Sequence, residues 1–392
     1  MSVIAPSVLT ARTSVAWVFA LNGLAVASWF ARVPAARDLL GLTSAQLGLL
    51  LLALSAGAVV SMPLAGTVVR LVGPGRSVTG STVVLALGLG LVGAATALGW
   101  GVVAVGAGLF AVGFGSGLCD VAMNVEAANV ERRLGRTIMA RFHAAWSVGT
   151  VAGAALGAAA ARAGLPVVAH LGFVAVVVGS GTAAAARTFL PTAAEDQPHE
   201  PAFGTLRAWR EPRTILIGLF VLIMAFTEGT ANDWLAVATI DGYATSAATG
   251  AVAFGVFVTA MTIGRLFGTT ALDRWGRVPV LLVSTLLAAT GAALAVLGGR
   301  LWLALVGVLL WGLGVALGFP TGMSAAADDE AQAPARVSVV AVIGYAAFLA
   351  GPPLIGLLGE RVGTLRALLV VPVILLPAFA LAPVLRRPAP PA

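Results

Sequence analysis

Lysine is missing from this chain altogether, cysteine occurs once, and sixteen acidic side chains are spread over 392 residues. Each shortage excludes something. Without lysine, no glycine-rich run can end in the Gly-Lys-Ser/Thr of a phosphate-binding loop, so ATP does not drive the protein. Cys119 alone can close no intrachain disulfide and has no Cys or His partners at metal spacing, so neither an oxidising compartment nor a metal site is expected. The sequence shows no Ser-His-Asp set and no sizeable polar domain, so we expect no enzyme and no cofactor. The acids are also too few to coat a soluble surface of this size.

What remains is apolar. Hydrophobic residues make up 59% of the chain, charged residues 10%, and the mean hydropathy is +1.00, whereas a soluble domain is about half apolar and a quarter charged. The solvent for most of this chain is therefore a bilayer. All 23 basic residues are arginine and the net charge is +7, a bias that fits GC-rich coding. The excess sits in short loops, as orientation by the positive-inside rule produces, so no nucleic-acid partner is expected.

A spanning helix needs ~20 mostly apolar residues. Breaking the chain at Arg, Pro and Gly clusters predicts twelve, at 13–33, 44–69, 77–98, 101–129, 138–161, 166–187, 214–239, 247–270, 278–298, 301–326, 337–358 and 367–385. The segment Met1 to Ser28 is read as an uncleaved first span. With both termini cytoplasmic, sixteen arginines, Arg136, Arg265 and Arg387 among them, fall on the cytoplasmic side, and six fall outside. Arg141 is left within span 5. This asymmetry sets the orientation of an inner-membrane protein. The fold class is thus all-α, with an N-terminal six-helix bundle over 1–187, a cytoplasmic linker over 188–213 and a C-terminal bundle over 214–392. His199, Glu195 and Asp196 read as solvated linker residues.

The halves resemble each other when slid by about two hundred residues, the mark of a transporter built from repeats. "AGTVVRLVGPGR" after span 2 matches "GTTALDRWGR" after span 8, and "GFGSGLCDVAMN" in span 4 matches "GLGVALGFPTGM" in span 10. The stretch "GTTALDRWGR" resembles the loop motif Gly-x-x-x-Asp-Arg-x-Gly-Arg of the major facilitator superfamily, carried by Asp273, Arg274, Gly276 and Arg277. The resemblance implies a conformational latch of acid and arginines at the cytoplasmic surface. Arg70 stands where the first half should carry the acid. Within the superfamily, "CDVAMN", "HAAWSVG", "IGRLFGT" and "GFPTGMS" are most similar to the fucose permease branch of sugar:proton symporters. That resemblance places the branch's essential span-4 acid on Asp120 and a sugar-contacting amide on His143. The branch's span-1 acid falls near Phe30, so proton coupling does not carry over whole. Drug-exporting relatives carry a proline-containing motif in span 5, whereas "SVGTVAGAALG" has glycines at 149, 153 and 157 and no proline.

Depth sorts the charges. At ~1.5 Å per residue Asp120 lies ~18 Å from the cytoplasmic end of span 4 and Asn124 ~12 Å, with His143 level with Asn124 from span 5. Gly113, Gly117, Asp120, Asn124, Ala127 and Glu131 form one helical stripe that faces protein or water. Asp120 and Arg141 are either a buried structural pair or working groups; the ~2.5 to 3.5 kcal/mol cost of a midspan carboxylate favours work for Asp120. Glu126, Glu131, Arg132 and Arg133 are expected to crowd the membrane surface. In span 7, Glu228 shares a face with Asn232 and has Asn22 as its counterpart in span 1, whereas Asp233 is expected at the outer rim or as a helix-end cap. Trp17, Trp100, Trp209, Trp275 and Trp302 belong at interfaces; Trp29, Trp146 and Trp311, within spans, are candidates to stack on a sugar. Pro352 and Pro353 are expected to kink or break span 11.

The expectation is a secondary transporter, monomeric, that moves a small polar, sugar-like solute by alternating access. Asn22, Trp29, Asp120, Asn124, His143, Trp146, Glu228, Asn232 and Trp311 would contact the solute, and Asp120 and Glu228 would carry protons. The alternatives are an exporter of a drug or hydrophobic metabolite and a non-transporting membrane sensor.

Overall fold

The computed structural model describes residues 6–134, 138–190, 207–329 and 332–386. Arg136, Arg387 and the linker residues His199, Glu195 and Asp196 lie outside the described residues. Among those described there is no strand, and twelve helical stretches are long and apolar enough to cross a membrane. The chain divides into two compact units, Met1–Ala194 with Thr245–Gly255, and Glu195–Ala244 with Val256–Ala392. The main boundary falls within the predicted linker, but the opening turns of span 8 group with the first unit.

The first unit holds α1 (Pro6–Phe30), α2 (Val33–Leu40), α3 (Ser44–Val72), α4 (Pro74–Leu98), α5 (Gly101–Leu134), α6 (Met139–Arg162) and α7 (Val167–Ala186). Span 1 is α1 and α2 together. They part at Ala31 and Arg32 because Pro34 has no N–H to offer the Phe30 carbonyl, four residues earlier. In this unit α5 lies against both α3 and α4, and α1 against α6 and α7.

Between helices in lipid there is no hydrophobic drive, so association rests on close backbone packing. Glycine makes it possible here. Gly113 meets the Leu54 carbonyl and Gly117 meets Ser61 and Ala58, which seats α5 on α3, while Gly115 on the other side meets Ser81 and Leu85 of α4. Gly149 and Gly153 of α6 meet the Ala20 and Leu24 carbonyls of α1. The small-residue stripe of span 4 therefore faces protein, as its spacing predicts.

The second unit is built from α8 (Pro212–Tyr243), α9 (Ala247–Trp275), α10 (Arg277–Leu297), α11 (Leu301–Val315), α12 (Gly318–Ala326), α13 (Ala333–Val362), and the short α14 (Thr364–Ala367), α15 (Val370–Ile374) and α16 (Leu376–Leu381). The helix α8 packs on α13 and α12, and α10 on α11. The repeat is visible in the backbone. Gly73 (φ 81°, ψ 161°) joins α3 to α4 as Gly276 (φ 78°, ψ 169°) joins α9 to α10, and Gly41 and Ala244, at the same offset, both adopt the left-handed conformation that ends a helix. Gly314 meets Ser284 and Ala288 as Gly115 meets Ser81 and Leu85.

Of the kink or break expected at Pro352 and Pro353, the break does not occur. Span 11 runs unbroken through Pro352 and Pro353, a continuity that membrane helices allow when neighbours tolerate the freed carbonyls. Span 10 is broken instead, between α11 and α12, because Pro320 cannot donate to the Ala316 carbonyl. Span 12 is likewise divided around Pro372, Pro377 and Pro383. Of the tryptophans, the five assigned to interfaces are all exposed, whereas Trp29, Trp234 and Trp311 are fully buried.

If backbone contact holds the first unit together, a single methyl at the α3–α5 crossing should be costly. Gly113→Ala is expected to destabilise by roughly 1–3 kcal/mol through overpacking, whereas Gly90→Ala, with nothing within 4 Å of the added carbon, should be neutral or slightly stabilising. Thermal unfolding of the two purified variants checks this; equal effects would remove the packing argument.

Candidate functional site

In the first unit, α1, α5 and α6 bring five of the predicted residues to one neighbourhood. Ser116 of α5 donates to the Asn22 Oδ1 of α1 at 3.2 Å, and Asp120 stands one turn further along α5 on the same face. Asn124, one turn on again, donates from Nδ2 to the Asp120 carbonyl at 2.8 Å and to its Oδ1 at 3.3 Å. From α6, His143 sets its ring edge-on to Phe19 with centroids 5.3 Å apart, and Phe19 is three residues before Asn22. The Trp146 backbone lies against Gly23, with its side chain half-buried.

Arg141 does not join this group. It sits in the first turn of α6 with its side chain exposed, and among the described residues no ion pair links it to Asp120. The buried structural pair is therefore not what holds α5 to α6. Glu131 makes that connection, accepting from the backbone N–H groups of Ile138 and Met139 where α6 begins, which places a carboxylate at a helix N-terminus. Glu126 is fully buried rather than crowded at a surface, and its Oε1 accepts from Leu190 N at 2.7 Å, just beyond α7. Both acids tie chain segments whose N–H groups lack helical partners.

In the second unit Glu228 of α8 pairs with Arg265 of α9, whose Nη2 lies 3.1 Å from each carboxylate oxygen. Sequence reading counted Arg265 among the cytoplasmic arginines. It stands within α9, ten residues before Trp275, which is ~15 Å along the helix. Its Nε also donates, at 3.4 Å, to the Ala316 carbonyl, the one that Pro320 leaves without a helical donor. One guanidinium thus joins the span-7 acid to the break in span 10. The available signal was an arginine deep within an apolar run facing a proline-interrupted span. Asn232 stays half-buried one turn from Glu228. Asp233 is not a helix-end cap: it is buried, ten residues short of the end of α8. Trp29 and Trp311 are wholly covered, Trp311 packing edge-on to Phe257 at 5.8 Å, so in this conformation neither presents a ring face to a solute.

The loop motif is also redistributed. Asp273 is exposed and has no ion pair among the described residues, while Arg274 lies over the Trp275 ring at 5.5 Å. The carboxylate that Arg277 meets is Asp328, just beyond α12, at 2.8 and 3.0 Å. Arg213, at the start of α8, shares Asp328 at 2.9 Å, and Arg336 of α13 bridges Glu211 at 2.7 Å and Asp329 at 3.3 Å. Gly276 supplies the left-handed turn that starts α10 beside them. Burial pushes the Glu211 carboxyl up, but hydrogen bonds from Arg336 and Thr214 and the charges of Arg336 and Arg207 outweigh it and hold the group below the usual carboxylate range.

These helices, breaks and charge clusters define a membrane carrier. The family model of the Major Facilitator Superfamily matches residues 15–329 and 230–392, and the chain belongs to that superfamily: it is a multi-pass membrane transporter. An uncharacterized transporter of Sinorhizobium fredii, y4wD, is 34% identical over 97% of this chain and 99% of its own length. Among solved structures, the nucleoside transporter NupG superposes with a TM-score of 0.80 at 15% identity, covering 95% of this chain and 99% of its own. The Escherichia coli fucose:proton symporter FucP gives 0.65 at 17% identity, covering 96% and 98%. At such identities the structural likeness concerns the fold.

Two outcomes are expected of the charge cluster. Asp328→Asn should slow transport as Arg277→Gln does, while Asp273→Asn stays near wild type; uptake rates at saturating solute check the ranking. The Glu211 contribution to stability is complete above the ordinary carboxylate value, because the folded-state value is depressed, and is lost as pH falls through that depressed value. The gap in unfolding temperature between wild type and Glu211→Gln should therefore close on acidification. A gap that is constant with pH would show that Glu211 is not ionised in its pair.

Proposed function

We propose that the protein is a secondary active transporter that moves a small polar, sugar-like solute across the inner membrane by alternating access, coupled to protons, with both termini cytoplasmic. The observation that carries this reading is the polar row Ser116, Asp120 and Asn124 along one side of α5, which meets Asn22 of α1 through Ser116. In a span these groups are costly unless they serve a pathway. Hydroxyl and amide donors and acceptors on one face suit a hydroxylated solute; His143 supplies a ring nitrogen and Trp146 a partly open ring. The names of two structural relatives, a nucleoside transporter and a fucose:proton symporter, agree with a polyhydroxylated cargo.

Asp120 is the proton site in this reading. Its carboxylate is held by an amide rather than by a cation, so it can take a proton without breaking an ion pair. Glu228 must release Arg265 to do the same, so its protonation would free Arg265 and with it the Ala316 carbonyl. That gives Glu228 and Arg265 the part of a coupling pair, with Asn232 beside them. Of the motif residues Asp273, Arg274, Gly276 and Arg277, the conformational latch works in this reading through Arg277, with Asp328 and Ser324 as its partners, and Gly276 sets the turn beside it. Export of a hydrophobic compound is the competing direction, and the polar row argues against it.

Asp120→Asn mimics the protonated acid. It is expected to fold, to retain solute binding with a flattened pH dependence, and to lose uphill accumulation driven by a pH gradient in proteoliposomes. Candidate solutes come from thermal-shift screening of sugars, sugar acids, polyols and small metabolites. Persistence of pH-driven accumulation in Asp120→Asn would falsify the coupling assignment.

A further inference from the structure

At the end of span 1 opposite the chain's N-terminus lies a second polar cluster, outside the row that the transport reading uses. Arg32 is 4% exposed, His170 of α7 4% and Ser28 of α1 is fully buried. Arg32 Nη2 donates to the Leu165 carbonyl at 2.6 Å, but its Nε, both ring nitrogens of His170 and the Ser28 hydroxyl have no hydrogen-bond partner among the described residues. Among the described residues no carboxylate pairs with Arg32; Asp38, six residues on, is taken by Arg37 at 3.0 Å.

The packing puts these groups together. Leu24 and Ala31 of α1 lie against Gly153 and Gly157 of α6. Ser28 falls between them on that stripe, and Arg32 follows one turn later. A carbon added at Gly157 would touch Ala31 and lie 3.7 Å from His170 Cε1, so the imidazole stands beside α1 at the residue that precedes Arg32. A guanidinium buried without an acid is unfavourable unless an anion accompanies it. The unmet groups include three donors beside a single positive charge: Arg32 Nε–H, the Ser28 hydroxyl and one N–H of the His170 ring.

We propose that Arg32, Ser28 and His170 form a binding site for a compact monovalent anion of chloride's size. The near-complete burial of all three excludes a bulky anion. Chloride supplies the missing negative charge, accepts from Arg32 Nε–H, Ser28 Oγ–H and one His170 N–H, and fastens the α1–α2 turn to α6 and α7. The site belongs to the first unit and does not depend on which solute is carried.

Thermal unfolding of the purified full-length protein is followed while chloride replaces gluconate at constant ionic strength, with formate as a second arm to represent the carboxylate of a solute. The expected result is a saturable rise in unfolding temperature with chloride in wild type, abolished in Arg32→Gln, with apparent affinity lowered about tenfold in both Ser28→Ala and His170→Phe. Since Arg32→Gln also disturbs the bond to Leu165 and can fail to fold, Ser28→Ala and His170→Phe carry the test without it. No chloride-specific rise in wild type, a rise with formate alone, or unchanged affinity in those two variants overturns the site.

Discussion

Backbone-to-backbone contact at glycine is the constraint on which each unit rests. Lipid tails compete for apolar side chains as well as another helix does, so only shape and polar satisfaction select one packing. Gly113 and Gly117 on one side of α5, and Gly115 on the other, leave that helix no freedom to rotate between α3 and α4. Its polar face is then fixed as a consequence: once Gly117 is pressed on Ser61, the neighbouring Ser116 is turned to another side of the helix and reaches Asn22. The glycines that pack α6 on α1 do the same for His143 and Trp146. The site inherits its geometry from contacts that carry no chemistry of their own.

Proline supplies the opposite effect, opening a backbone group for use. Pro320 leaves the Ala316 carbonyl without a helical donor, and the donor it finds is Arg265, already committed to Glu228. A side chain on α9 therefore senses both the charge on α8 and the geometry of the α11–α12 break. Where proline does not break a helix, as at Pro352 and Pro353, no such polar group has gathered beside it among the contacts described.

The spans were legible because twenty apolar residues between arginine-rich or glycine-rich turns admit one reading, and the observed stretches differ from it mainly by a turn or two at their ends. Spacing along one helix is legible too, which is why Asp120 and Asn124 are expected on one face and are joined there by a hydrogen bond. Partnership was not. Nothing in the sequence ties Arg277 to Asp328 rather than to the adjacent Asp273, since that choice is made by where α12 ends. Arg265 counts with the cytoplasmic arginines although it lies inside the expected span 247–270, because grouping arginines by the nearest turn ignores how far a helix continues; α9 runs on to Trp275. Asp233 fails as a helix-end cap for the same reason, since α8 continues to Tyr243. His170 sits in an apolar run with no polar neighbour at helical spacing, so only the packing of α7 on α1 brings it beside Arg32.

The two units solve the cost of a midspan acid differently, and the difference bears on how each can respond to a proton. In the first, Asp120 is stabilised by Asn124, a neutral donor on its own helix, so protonation changes one hydrogen bond and leaves no charge stranded. In the second, Glu228 is matched by a guanidinium on a neighbouring helix. Neutralising it leaves the half-buried Arg265 without its counter-ion, an unfavourable state that solvent at the exposed side relieves only in part. A group that titrates without structural consequence suits proton uptake, and one whose titration forces a neighbouring helix to find a new partner suits conversion of that uptake into motion. Under the proton-coupled transport proposed above, repeated architecture with unequal charge pairing would let one fold hold both properties, each in the half whose helix contacts can bear it.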